Sequence, residues 1–166
     1  AGHADYTIRL SPYRSALPLV GMARRAPLEA EKALVFDFGG TMIKRGAAYY
    51  QSGDLVRLDL LPACVSITEE MKVLEDQDRW AAALLDHMIA VILDAQQQTR
   101  CTGGVTVLAS FAAYMRDNHP LSAQRGLYTE LARLTDNVGR TLAERLRAVV
   151  GQPVYVELAH DGTAAA

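Results

Sequence analysis

Two cysteines in 166 residues, Cys64 and Cys101, are too few and too isolated for a disulfide framework or a cysteine-rich metal site. They lack C-x-x-C spacing, so inert thiols in a reducing cytoplasmic setting are expected. No apolar run reaches the roughly 18 residues of a membrane span. The N-terminus also lacks the basic-then-apolar order of a signal peptide. An excess of one charge is missing too. Lys and Arg number 17 against 19 Asp and Glu, a formal charge of −2, which removes the electrostatic case for nucleic acid or anionic membrane. There is no internal repeat, and no low-complexity tract beyond the final alanines. What remains is an ordinary globular balance, 50% hydrophobic and 22% charged. The length suits one domain, or one domain with an arm.

Residues 1–31 read as that arm. Tyr6-Thr7-Ile8-Arg9-Leu10 alternates like a short edge strand. Pro12, Pro18, Gly21 and Pro27 then break any long element, so a loop is expected. Arg14, Arg24 and Arg25 fall in it as solvated charges.

From Lys32 the pattern becomes regular. Residues 33–39, 42–50 and 54–61 are three extended runs, separated by Gly39-Gly40 and by Gln51-Ser52-Gly53-Asp54. Links this short predict an antiparallel meander. Residues 67–74 form a linker with room for a helical turn. Residues 76–98 predict a long helix, with Trp80, Leu84, Met88, Ile92 and Ala95 on one face and Leu85 and Ile89 widening it. Gly103-Gly104 ends that helix, and a fourth strand runs from 105 to about 114. A second helix is expected over 128–150, stopped by Gly151 and Pro153. Residues 154–158 are a fifth strand. A helix between two strands favours a parallel crossover, so the expected fold is α/β with a mixed five-stranded sheet and flanking helices.

Two constellations carry chemistry. In the first, Ala33-Leu34-Val35-Phe36-Asp37-Phe38-Gly39-Gly40-Thr41-Met42-Ile43-Lys44, an apolar strand ends in a carboxylate, two glycines and a hydroxyl. Gly39 and Gly40 let a phosphate approach bare backbone. Thr41 adds a donor, Lys44 a cation, and Asp37 a ligand for magnesium. A plain glycine-rich hairpin turn is the alternative. The second constellation is His160-Asp161-Gly162-Thr163 after the fifth strand. Asp161 can serve as a base toward a hydroxyl, or as the cap of a following helix.

The first run resembles the phosphate motif D-x-G-G-T-x-x-K of the sugar-kinase, heat-shock-chaperone and actin superfamily. It is most similar to sugar kinases of the ROK group and to hexokinases. The second resembles their N-D-x-x-A/T-A motif. The resemblance covers residues 32–166 and implies one lobe of the actin-like ATPase fold, built on a ribonuclease-H-like sheet. It implies ATP and magnesium as cofactors, with Asp37, Gly39, Gly40, Thr41 and Lys44 on the phosphates and Asp37 on the metal. It implies Asp161 as the general base in phosphoryl transfer from MgATP to a sugar hydroxyl. His160 stands where the families have Asn at the sugar. Asp117 and Asn118, in the loop after the fourth strand, are further sugar-contact candidates.

The zinc cluster, the remaining sugar ligands and the adenosine glycines of these families have no counterpart here. The chain begins at Ala1 and stops directly after a motif, so it is expected to be one lobe of a longer kinase whose second lobe is absent. Alone it should be inactive. The expected partners are a sugar, a nucleotide and the missing lobe, with no nucleic acid, no membrane, and a homodimer open. The departure at position 160 keeps a second class in view, a non-catalytic regulator of the same superfamily that senses sugar or nucleotide. A chaperone-like or filament-forming ATPase would share residues 37–41 and leave 161–163 unexplained. His87 reads as a boundary residue of its helix, His119 as part of a turn before Pro120, and Arg133, Arg140 and Arg147 as a solvated face.

Overall fold

The central strand explains the architecture. Lys32–Phe38 (β1) is an unbroken apolar run apart from its first residue and Asp37, and from Ala33 on every residue is buried. A strand buried on both faces needs a layer on each side, and the computed structural model shows both. It describes residues 16–100, 104–121 and 126–160. Met42–Gln51 (β2) and Asp54–Val65 (β3) follow β1 as the meander, each pair antiparallel. Val105–Phe111 (β4) and Val154–His160 (β7) lie parallel to β1 on its other side. The order β3-β2-β1-β4-β7 is that of the ribonuclease-H-like sheet, the kind of sheet on which the lobes of the actin-like ATPase fold are built.

One face is covered by Gln77–Thr99 (α3) and Val138–Val150 (α4). Leu84, Met88, Ile92, Leu142 and Leu146 pack there with Leu34, Phe36 and Phe38. Asp76 caps α3, its side chain accepting the Arg79 N–H at 2.8 Å, and a four-residue helix, Glu69–Lys72 (α2), precedes it. Among the described residues no helix is long and apolar enough to cross a membrane.

The other face corrects the loop expected between Pro12 and Pro27. Leu17–Ala23 (α1) is a helix whose Leu19, Met22 and Ala23 are buried with Ala33, Val35, Ala48 and Leu108. Pro18 sits in its first turn, where the missing N–H has no helical partner to lose. The Tyr50 hydroxyl donates to Ala23 O at 2.6 Å and ties α1 to β2; burial pushes that phenol up to about 12. Tyr6–Leu10 and Arg14 lie outside the described residues. Arg25, expected as a free loop charge, pairs with Glu157 at 2.7 Å.

Three further boundaries differ. The helix expected over 128–150 is two elements, a 3₁₀ segment Leu127–Arg133 and α4. Asn137 breaks it, because its side chain accepts from Arg140 N–H at 2.8 Å and restarts the helix as an N-cap. The third strand runs on past Leu61 to Val65, and Pro62 is tolerated because β3 is an edge strand. The long helix ends at Arg100, in the left-handed region at φ 49°, ahead of the expected glycines. After β4 ends at Phe111, the chain forms a small hairpin of Met115–Arg116 (β5) and His119–Pro120 (β6).

Candidate functional site

The parallel pairing gathers three groups at one edge of the sheet. Asp37 on β1 lies beside Ser110 on β4, and Phe111 beside His160 at the end of β7. In an open α/β sheet the C-terminal ends of the parallel strands are where sites form. Asp37 is only 8% exposed. Its carboxylate accepts from Ser110 Oγ at 3.2 Å and faces Lys44 Nζ at 3.3 Å. Lys44 reaches it because the hairpin register sets the two residues opposite each other. Its side chain is 42% exposed, so the ammonium stays at the solvent boundary above a buried acid.

The loop beyond Asp37 is held tightly at its base and open at its tip. Gly39 N–H bonds both Asp37 O and Met42 O, at 3.0 and 3.2 Å. A Cβ on Gly39 would lie 2.8 Å from Met42 O, so only glycine closes this turn without a shift. Gly39 O accepts from Ser66 Oγ at 2.7 Å and from the Tyr128 hydroxyl at 3.1 Å. Ser66 also donates its N–H to Thr41 O at 3.0 Å. Gly40 differs: a Cβ there meets nothing within 4 Å. Gly40 and Thr41 are exposed, and no described residue takes their N–H groups. Two adjacent unpaired backbone donors are the groups that an anion site built from backbone requires.

Beneath the loop lies an aromatic cluster. Phe38 stacks on Phe111 at 5.0 Å between centroids, and Tyr128 meets both rings edge-on. Burial raises the Tyr128 phenol far above its ordinary value, so its hydroxyl remains a proton donor to Gly39 O at any physiological pH. Ser110, Ser66 and Tyr128 carried no signal in the sequence. Each touches the motif from more than 20 residues away, through the sheet or the helical layer.

The remaining candidates divide. His160 is half-buried at the end of β7, its ring stacked on Tyr114 at 4.3 Å. Asp161, with Gly162 and Thr163, lies outside the described residues. Asp117 and Asn118 form the tip of the β5–β6 hairpin, both with positive φ, 52° and 62°. Asn118 O accepts the Val138 N–H at 2.9 Å, and its side chain packs on Gly139. Asn118 therefore seats the start of α4, while Asp117 is exposed. His87 Nε2 sits 2.9 Å from Val65 O. His119 Nδ1 is 3.1 Å from Asp136 O. Cys64 is a half-buried thiol whose pKa burial raises, and Cys101 lies outside the described residues. Among the described residues no group of three His, Cys, Asp or Glu side chains could hold a metal.

A cavity of about 1020 Å³ lies elsewhere. It is lined by Arg25, Lys32, Tyr49, Arg100, Val105 and Val154, among others, at the starts of β1, β4 and β7. None of the motif residues lines it.

No family model matches the chain, and no curated protein matches it. Among solved structures it is similar to a member of the Ppx/GppA protein family from Aquifex aeolicus, with 16% identity and a TM-score of 0.35 over 76% of this chain and 35% of that one. A type II variant of the Aquifex aeolicus Ppx/GppA phosphatase gives 15% identity and a TM-score of 0.33, over 78% and 36%. The chain spans about a third of the length of these proteins. Neither is a sugar kinase, so the expected ROK or hexokinase specificity finds no support there. The sheet order, and not this likeness, gives the chain its ribonuclease-H-like fold.

Proposed function

We propose that the chain is the phosphate-holding lobe of an ATP-dependent phosphotransferase with a sugar hydroxyl as acceptor. One observation carries the reading: a loop clamped from below by two hydroxyls on Gly39 O presents unpaired Gly40 and Thr41 N–H groups beside Asp37 and Lys44. In this role the Gly40 and Thr41 N–H groups and the Thr41 hydroxyl bind phosphate oxygens. Lys44 leaves Asp37 for the phosphates, which its exposure permits.

A single carboxylate fits magnesium, which keeps several waters and takes the rest of its ligands from phosphate. Asp37 would hold it, directly or through water, and Ser110 would keep that carboxylate oriented. When bound, the ion neutralises phosphate charge during transfer. Asp161 follows β7 directly. In this reading it accepts the proton of the sugar hydroxyl, and His160 contacts the sugar. The second lobe, which the reading requires, supplies the adenosine and completes the cleft.

Two measurements test it. Titration of this chain with MgADP should show saturable, magnesium-dependent binding. In the longer protein, Asp161→Ala should lower kcat for hexose phosphorylation by roughly two to four orders of magnitude and leave nucleotide affinity unchanged. No binding by either protein overturns the phosphate site. Binding without sugar-dependent turnover overturns the transferase and leaves the regulatory reading.

A further inference from the structure

Among the described residues the twelve-residue strand β3 is an open edge. Its outward backbone groups can be assigned from the hairpin. Gly39 N–H bonds Met42 O, so the hydrogen-bonded pairs of β1 and β2 fall at Asp37–Lys44, Val35–Gly46 and Ala33–Ala48. Odd-numbered residues of β2 therefore turn their backbone toward β3. Ala47 pairs with Asp59 and Tyr49 with Arg57. Arg57 and Asp59 thus face inward along the ladder, and Leu58 and Leu60 offer N–H and C=O to the open side.

An unpaired edge flanked by apolar side chains is a template for another strand. Val56 is 57% exposed and Leu60 56%. We infer that the Val56-Arg57-Leu58-Asp59-Leu60 edge pairs antiparallel with the same segment of a second copy, with Leu58 on the two-fold axis.

Charge selects both the partner and the register. With Leu58 opposite Leu58 of the other copy, Arg57 of each chain lies opposite Asp59 of the other, and Val56 opposite Leu60. These Arg–Asp positions are non-hydrogen-bonded pairs, where opposed residues approach most closely. Moving the axis by one residue sets Arg57 against Arg57 or Asp59 against Asp59, which like charge disfavours. The pairing is also bounded. A bulge opposite Tyr49 and Tyr50 leaves Val56 without a partner in the β2–β3 ladder and displaces the register from Leu55, and Pro62 has no N–H to offer at the other end. A two-fold contact closes on itself, so it yields a dimer and not a filament.

A charge-reversal cycle tests this, read as molar mass by sedimentation over a concentration series. The wild-type chain should dimerise. Arg57→Asp alone or Asp59→Arg alone should weaken the dimer by about tenfold or more, because two attractive pairs become repulsive. An equimolar mixture of the two variants should form a heterodimer, since one presents two carboxylates where the other presents two guanidinium groups. The double variant should dimerise like wild type. Both substituted positions are exposed, and circular dichroism would report any loss of fold. A wild type that is monomeric throughout overturns the inference, as do single variants that dimerise unchanged, or a mixture that stays monomeric. A monomer whose Leu58 and Leu60 amides are protected from exchange also overturns it. That result assigns the edge to another segment of the same chain, such as residues 6–10.

Discussion

Gly39 and Gly40 are adjacent, yet their surroundings assign them different roles. At Gly39 any side chain meets a backbone carbonyl at 2.8 Å, and a carbonyl in a tight hairpin has little room to move. Gly39→Ala should therefore destabilise the fold by about 1–3 kcal/mol, seen as a lower midpoint in urea. At Gly40 the added methyl meets open space, and Gly40 has no positive φ to protect. Gly40→Ala should leave stability within about 0.5 kcal/mol of wild type. It should weaken magnesium-nucleotide binding by calorimetry, because the methyl stands where a phosphate must approach. Equal affinity in the two proteins would remove Gly40 from the site.

At the scale of elements, one buried ion joins the meander to the helical layer. Arg45 on β2 is 7% exposed. Its guanidinium donates to Pro62 O at 2.6 Å, to Val91 O, and to the Asp94 carboxylate on α3. The hydrogen bond from Arg45 holds Asp94 below the usual carboxylate range, against an opposing desolvation. A carboxylate with a depressed folded pKa adds stability above its unfolded pKa, and loses it as pH falls through the folded value. Asp94→Asn should cost about 1 kcal/mol at neutral pH, the low end for a hydrogen bond to a charge because the Asp94 side chain is half exposed. That gap to wild type should close as pH drops below about 4, in parallel urea melts across pH. A gap independent of pH would mean that shape, and not charge, sets the contact.

For the whole molecule, the sheet is covered on both faces, and α1 belongs to the core it covers. Leu19 is 1% exposed and Met22 fully buried, against Val35 and Leu108 in the two central strands. Leu19→Ala should destabilise by about 2–5 kcal/mol, measured as a single cooperative transition. If residues before Lys32 were only an arm, the loss would be near zero.

Local chemistry made the meander, the long helix α3 and the Gly39–Gly40 turn legible. A strand buried on two sides is continuously apolar, an amphipathic helix repeats every three or four residues, and glycines punctuate turns, all within a dozen residues of sequence. The alternation of helix and strand after residue 66 then determined the parallel half of the sheet. Tertiary structure decided what depends on distant partners. Pro18 and Gly21 look like breakers in isolation, but burial of Leu19 and Met22 on the second sheet face outweighs that preference. The break at 134–137 comes from Asn137 capping α4 while Asn118 O takes the Val138 N–H, and apolar periodicity cannot record a polar bond. Ser66, Ser110 and Tyr128 reach the loop across 27, 73 and 89 residues of chain. The sequence by itself determined which residues form the glycine turn after β1. Only the fold decided what grips it, because hydrogen bonds between remote segments leave no pattern along the chain.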